Sequence, residues 1–216
     1  RYWAGYMDEI RVSKGVGRYP TRFTSPVTTF SSDANTSLLL RMDGEDDSIV
    51  FTDTSSNALT VTPFADAKIS VNESKFGGAS AYFDGTTDYL SIANTSTLNF
   101  GTGDFTVEAW INLKAYGSYA PIFSNAYLFY IGANGQVLLY NGSADVVTSP
   151  NGSISLNTWH HVAWVRNNSI VSIYVDGVRR AAATVSASIG SGSPNYIGRW
   201  TTVYLYGYVD NLRVSN

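Results

Sequence analysis

The residues able to do chemistry in this chain are few. Its two histidines, His160 and His161, stand side by side in TWHHVAWVR, and cysteine is absent. Neighbours on a strand point to opposite faces, so the pair cannot chelate one ion or act together on one substrate. A catalytic histidine also needs an activatable nucleophile and an orienting acid within reach. No Ser-His-Asp arrangement can be made around either ring, and both are expected to pack or hydrogen-bond. Without cysteine there is no disulfide, thiolate nucleophile or thiolate metal site. The acidic run MDGEDDS at 42–48 raises calcium, a hard cation that takes about six to eight oxygens. Counted from Asp43, position six is Ser48 and position twelve is Thr54, which excludes an EF-hand. Sugar recognition asks for something different: an exposed aromatic face for the sugar's C–H surface, flanked by polar groups. Trp200 in GRWTTVY meets that description best, because it sits in a polar turn where alternation does not enforce burial. Tyr116 and Tyr119 in KAYGSYAP, and Tyr140 with Asn141 in LLYNGSAD, are further candidates. Each of these rings could equally pad a sheet edge or meet a neighbouring module.

Such side chains must be held by strands. The 216 residues are 44% hydrophobic and 14% aromatic, and only 14% are charged, against about 25% in an ordinary domain. Fifteen tyrosines and nineteen glycines suit a pleated, half-buried surface broken by turns. A net charge of −3, with no run of Lys or Arg, excludes a nucleic-acid stripe or a basic membrane patch. No apolar run approaches the roughly 18 residues that span a bilayer, so membrane insertion is not expected. FTVEAWINL (105–113) alternates Phe105, Val107, Ala109, Ile111 and Leu113 against Thr106, Glu108, Trp110 and Asn112. ASAYFDGTTDYLSI (79–92) reads as strand, Asp-Gly turn, strand, and SIYVDGVRR as a hairpin turning at Asp176–Gly177. In WHHVAWVR bulky residues fall on both faces, which predicts a central strand covered on both sides. No stretch of ten residues carries a helical apolar stripe. The expected fold is all-β: a two-sheet antiparallel β-sandwich of about a dozen strands.

The two ends of the chain repeat each other. YWAGYMDEIRVS (2–13) and YLYGYVDNLRVS (204–215) share Tyr, Gly, Tyr, Asp, Arg, Val and Ser in register, seven of twelve positions. A recurrence at so long a spacing reads as one period of a tandem array. Residues 1–13 are then the terminal strand of a preceding repeat module, 14–37 a linker, and 38–216 the module itself. The linker lacks periodicity, and its Tyr19, Phe23 and Phe30 predict a semi-rigid joint packed along a neighbour.

YFDGTTDYLSI, GDFTVEAWINL, TWHHVAWVR, VSIYVDGVRR, YIGR and YGYVDNLRVS occur in an order and spacing that resemble the laminin G-like, concanavalin A-like jelly-roll family over residues 36–216. The joint RVSKGVGRYPTRFTSPVTTF resembles the connector of multi-domain virion and bacterial surface proteins of that family. The resemblance implies an extracellular, cell-surface or virion location, and a jelly roll that hosts lectins, adhesins, spacers and hydrolases alike. Its laminarinase-like hydrolases carry an E-x-D-x-x-E strand, whose outer acids must sit about 5–5.5 Å apart for retaining chemistry. No such pattern occurs: Glu108 stands alone and Asp8–Glu9 fall on opposite faces, so no enzyme is expected. The family often carries a cation at the sandwich edge, for which Asp43, Asp84 and Asp210 are the candidate ligands, with Asp88 and Asp47 behind them. The bland alternative is a solvated loop at 43–48 and turn-capping at 84 and 88.

The expected function is a non-catalytic glycan-binding or adhesion module of a larger repeat-containing protein, its partner a cell-surface glycan. The alternative is a structural spacer or decoration module whose contacts are adjacent modules or a homo-oligomeric assembly. A third reading adds strand 2–13 to the exposed edge of another subunit's sheet.

Overall fold

The computed structural model describes residues 7–14, 17–18, 23–190 and 194–215, with the backbone course alone for 7–14, 207–209 and 211–215. Two large, mainly antiparallel sheets face each other. The nine-stranded sheet runs Val178–Thr184, Ile170–Val175, His160–Asn167, Phe105–Leu113, Met7–Lys14, Thr36–Leu40, Gly207–Ser215, Ser80–Phe83 and Lys68–Ser70. The seven-stranded sheet runs Asp145–Thr148, Val137–Tyr140, Leu128–Gly132, Tyr119–Ser124, Asn195–Ile197, Tyr89–Ile92 and Val61–Phe64. A small hairpin, Arg199–Trp200 with Val203–Tyr204, completes the described strands. The single described helical element is a 3₁₀ turn at Ser96–Leu98, and no described helix is long and apolar enough to cross a membrane. The sandwich therefore holds more strands than the dozen expected, because many are only two to four residues long and break at bulges and glycines.

Alternation fills the space between the sheets. Phe105, Val107, Ala109, Ile111 and Leu113 meet Phe123, Phe129, Ile131 and Leu139 in one continuous core. Trp164 lies edge-on to Phe129 at 5.7 Å and donates its indole N–H to the Leu138 carbonyl at 2.9 Å. Each such ring, fully withdrawn from water, stabilises the fold by about 1.5–3 kcal/mol. At one end Arg166 is wholly buried, its guanidinium shared among the carbonyls of Gly101, Gly103 and Ala187.

The Asp84–Asp88 turn joins two strands, as its sequence predicts, and crosses the sandwich edge: Ser80–Phe83 lies in one sheet and Tyr89–Ile92 in the other. Local turn chemistry cannot distinguish a crossover from a hairpin, because both need the same tight bend. By contrast, Asp176 (φ 50°) and Gly177 (φ 74°) do form the expected two-residue hairpin turn.

The aromatics of the 14–37 segment pack rather than hang free. Phe23 packs on Tyr174 (5.3 Å) and His161 (5.7 Å), and Phe30 is 4% exposed with its ring 6.3 Å from His161. The Phe23 N–H donates to the Gly177 carbonyl at 3.2 Å, and a Cβ on Gly177 would stand 1.9 Å from the Phe23 carbonyl oxygen. These aromatics thus seal the outer face of the nine-stranded sheet. Tyr19 lies outside the described residues.

The repeated ends meet in one place. Met7–Lys14 and Gly207–Ser215 run parallel and in repeat register, with Asp8 beside Asp210 and Val12 beside Val214. Met7–Lys14 is placed inside its own chain's sheet and not on an outer edge.

Candidate functional site

The outer face of the seven-stranded sheet gathers aromatic rings by simple alternation. In Leu128–Gly132 the side chains of Phe129 and Ile131 enter the core, which turns Leu128 and Tyr130 outward. In Val137–Tyr140, Val137 and Leu139 enter the core and Leu138 and Tyr140 turn outward. Tyr119, Tyr196 and Tyr89 hold the equivalent outward positions on the next three strands, and Phe64 stacks on Tyr89 at 4.5 Å. A row of rings therefore crosses the sheet.

The Arg199–Tyr204 hairpin folds over this row. Ser124 Oγ donates to the Arg199 carbonyl at 2.8 Å and pins the hairpin to the sheet beneath. The Arg199 guanidinium sits 4.5 Å above the Tyr89 ring and 5.0 Å from that of Tyr196. Thr201, at the tip, has φ 52°, a left-handed conformation that a β-branched residue resists. Such strain persists only where the surroundings over-determine it.

Trp200 forms the shared wall of two openings. On one side Tyr119, Leu128, Tyr130 and Tyr140 close with it around a cleft of about 190 Å³. Trp200 meets Tyr140 nearly at right angles (6.5 Å), and Tyr119 meets Tyr130 in the same way (5.6 Å). On the other side Asn125, Ala126, Tyr196, Arg199 and Thr201 line a wider groove of about 480 Å³. The Tyr130 hydroxyl donates to Asp145 Oδ1 at 2.7 Å. Burial, reinforced by that carboxylate, pushes the Tyr130 hydroxyl well up from its usual range, and burial raises Tyr119 as well. Both phenols stay neutral, and each can donate and accept hydrogen bonds. The cleft offers flat apolar walls with a phenolic rim, an arrangement that holds a polyhydroxylated ring by its C–H face.

Of the residues singled out in sequence, Trp200, Tyr119 and Tyr140 come together in this cleft. Tyr116 and Asn141 do not. The Tyr116 hydroxyl donates to the Ile154 carbonyl at 2.6 Å, and the ring lines a separate groove with Asp84, Gly117 and Tyr206. Asn141 Oδ1 accepts from the backbone N–H groups of Ser143 and Ala144, both at 2.9 Å, and shapes its own turn. Leu128, Tyr130 and Asp145 were missed: Tyr130 alternates visibly in YLFYIG, but which face it takes follows only from the register Leu138 to Tyr130.

The three aspartates considered for calcium sit in separate settings. Asp210 is fully buried and accepts the N–H groups of Lys75 and Phe76. Asp84 caps its own turn through Thr86 and Thr87. Asp43 Oδ1 lies 1.8 Å from where a Cβ on Gly77 would stand. Of the two behind them, Asp47 pairs with Lys68, and Asp88 accepts from the N–H groups of Asp66 and Asp84 at 2.8 Å each. Among the described residues no three carboxylates or histidines are grouped to hold one ion.

The remaining acid, Glu108, is wholly buried on the opposite face and accepts from His161 at 3.1 Å. His161 is also wholly buried, and loss of hydration holds its pKa down at about 3, so the ring is neutral with its proton on Nε2. His160 points the other way, to Asp176 (2.8 Å) and Ser155 (2.7 Å). Both histidines bond and pack, as their adjacency on a strand predicted.

No match is found among curated proteins. Among solved structures, domain 4 of AbnA, an extracellular arabinanase from Geobacillus stearothermophilus, superposes with a TM-score of 0.58 at 16% identity, covering 76% of this chain and 86% of that one. The binding domain of Paraclostridial Mosquitocidal Protein 1 gives 0.55 at 16% identity, covering 82% of this chain and 46% of that one. The botulinum neurotoxin serotype G binding domain gives 0.53 at 11%, covering 76% and 44%. This chain thus spans less than half the length of either toxin domain, and at these identities the likeness is one of fold. A laminin G-like family model matches residues 84–216, the stretch that contains the central strand, the aromatic row and the Trp200 hairpin. The chain belongs to the concanavalin A-like lectin/glucanases superfamily.

Proposed function

We propose that the outer face of the seven-stranded sheet is a non-catalytic carbohydrate-binding surface, and that the cleft between Trp200, Tyr140, Tyr119 and Tyr130 seats a sugar ring. The observation that carries this reading is the convergence of four aromatic side chains from separate strands around one open cleft. The cleft holds no pair of acids: Asp145 is engaged by Tyr130, and Glu108 is buried on the far sheet. Binding without hydrolysis is the activity that this set of groups supports. The AbnA domain was solved with arabinotriose, and an oligosaccharide chain would continue naturally from the cleft into the Asn125–Arg199 groove past Trp200. As a module of a larger extracellular, cell-surface or virion protein, the chain would serve adhesion to glycans.

A structural spacer remains the second reading, favoured by the Phe23 and Phe30 seal and the repeated terminal strand. A glycan array with the whole 216-residue chain, its Trp200→Ala variant and a chelator arm separates the two. Binding is expected, it should be lost in Trp200→Ala, and it should survive chelation because no carboxylate lines the cleft. A blank array from the folded chain overturns the binding reading in favour of the spacer.

A further inference from the structure

The strand Phe105–Leu113 has two edges, and one is filled by His160–Asn167. The other edge is registered against two strands at once. Trp110 lies opposite both Asp8 and Asp210, Glu108 opposite both Arg11 and Arg213, Val107 opposite both Val12 and Val214, and Thr106 opposite both Ser13 and Ser215. Across the slot Leu40 faces Ile10 and Leu212 alike. A strand edge carries one row of N–H and C=O groups, and that row is satisfied by one partner. The slot therefore holds one of the two strands at a time.

The repeat preserves what the slot selects. Asp210 satisfies the N–H groups of Lys75 and Phe76, and Asp8 stands at the same register position. A buried carboxylate such as Glu108 favours a cation opposite it, and both strands bring Arg there. Positions that differ do so conservatively: Met7 or Val209 opposite Ile111, and Ile10 or Leu212 opposite Leu40.

We infer that copies of this chain exchange terminal strands: one strand fills the slot of its own chain, and the displaced one fills the slot of a second copy. This is replacement in an internal slot. The displaced strand leaves a row of backbone groups unpaired, and the site that matches its Tyr-x-x-Gly-Tyr-x-Asp-x-x-Arg-Val-Ser pattern is the same slot elsewhere. Exchange of an identical element is a low-cost route to assembly, since it adds no contact that the monomer lacks.

The absence of native cysteine makes the test clean. Directly opposed residues lie within disulfide range, so Thr106→Cys in one chain can be captured by Ser13→Cys or Ser215→Cys in another. Mixing singly substituted chains under mild oxidation is expected to give a reducible covalent heterodimer, while native mass spectrometry of the unsubstituted chain shows a dimer that grows with concentration. A chain that stays monomeric at every concentration overturns the inference, whatever the variants do. A dimer that never yields the cross-link overturns it too, because the contact then lies elsewhere.

Discussion

The two outer faces of the sandwich are built from the same kinds of residue and end up with opposite fates. On the nine-stranded sheet, Trp110, His161 and Tyr174 point outward but are covered by Phe23, Phe30, Phe76 and the Lys75 ammonium, which lies 4.1 Å from the Trp110 ring. On the seven-stranded sheet, Tyr119, Tyr130, Tyr140 and Trp200 point outward and remain half-exposed around an open cleft. Aromatic content alone does not mark a binding face. What separates the two is whether the chain supplies its own cover.

This contrast assigns stability to the sealed face and recognition to the open one, and substitutions should divide accordingly. The largest effect is expected from Phe30→Ala, which opens the seal: a loss of about 3 kcal/mol in chemical denaturation, with sugar affinity unchanged in whatever fraction stays folded. Glu108→Ala strips the hydrogen-bond partner from a wholly buried, neutral histidine and should cost about 1–3 kcal/mol, again without touching affinity. Equal losses of affinity and stability in either variant would dissolve the division. On the open face, Trp200→Ala should weaken sugar binding at least tenfold, about 1.4 kcal/mol by titration calorimetry, while stability moves by less than about 1 kcal/mol.

Smaller effects concern pH. The folded pKa of His161, about 3, lies below its usual 6.5, so the unfolded chain takes up the proton first as pH falls. The stability tied to neutral His161 is complete above about 6.5 and is lost progressively toward 3. Asp88 acts in the opposite sense: burial raises it from 3.8 to about 6, so its cost, present above 6, is relieved as pH falls toward 4. Between pH 6 and 4 the two oppose each other. Asp88→Asn should steepen the loss of stability on acidification, and His161→Gln should flatten or reverse it, as followed by melting temperature. The smallest effect is expected at Thr201, where Gly removes the left-handed strain and should stabilise by about 1 kcal/mol or less while loosening Trp200.

Much of this was legible before any coordinates. Alternation in 105–113 pointed to the sandwich class, and bulky residues on both faces of 158–166 to a central strand covered on both sides, because such patterning is local. Trp200 stood out because its turn is polar, and Tyr140 because Asn-Gly marks the turn after it. The cleft as a unit was not legible. Tyr119, Tyr130 and Tyr140 lie on three strands whose faces depend on register, and a shift of one residue in any of them would bury its ring. The candidate calcium aspartates show a similar limit: a carboxylate count does not say which oxygens backbone N–H groups will consume, as they do at Asp84 and Asp210. The seal was hidden too, since nothing in the linker's composition tells Phe23 to fold back onto Tyr174.

The most direct test follows the amide resonances of the whole chain as an array-selected oligosaccharide is added. The largest shifts should fall at Leu128, Tyr130, Tyr140 and Trp200, extending into Asn125 and Arg199, with residues 23–30 unmoved. Shifts centred on the sealed face, or absent from the Trp200 cleft while sugar is bound, would contradict the assignment of the open face as the binding surface.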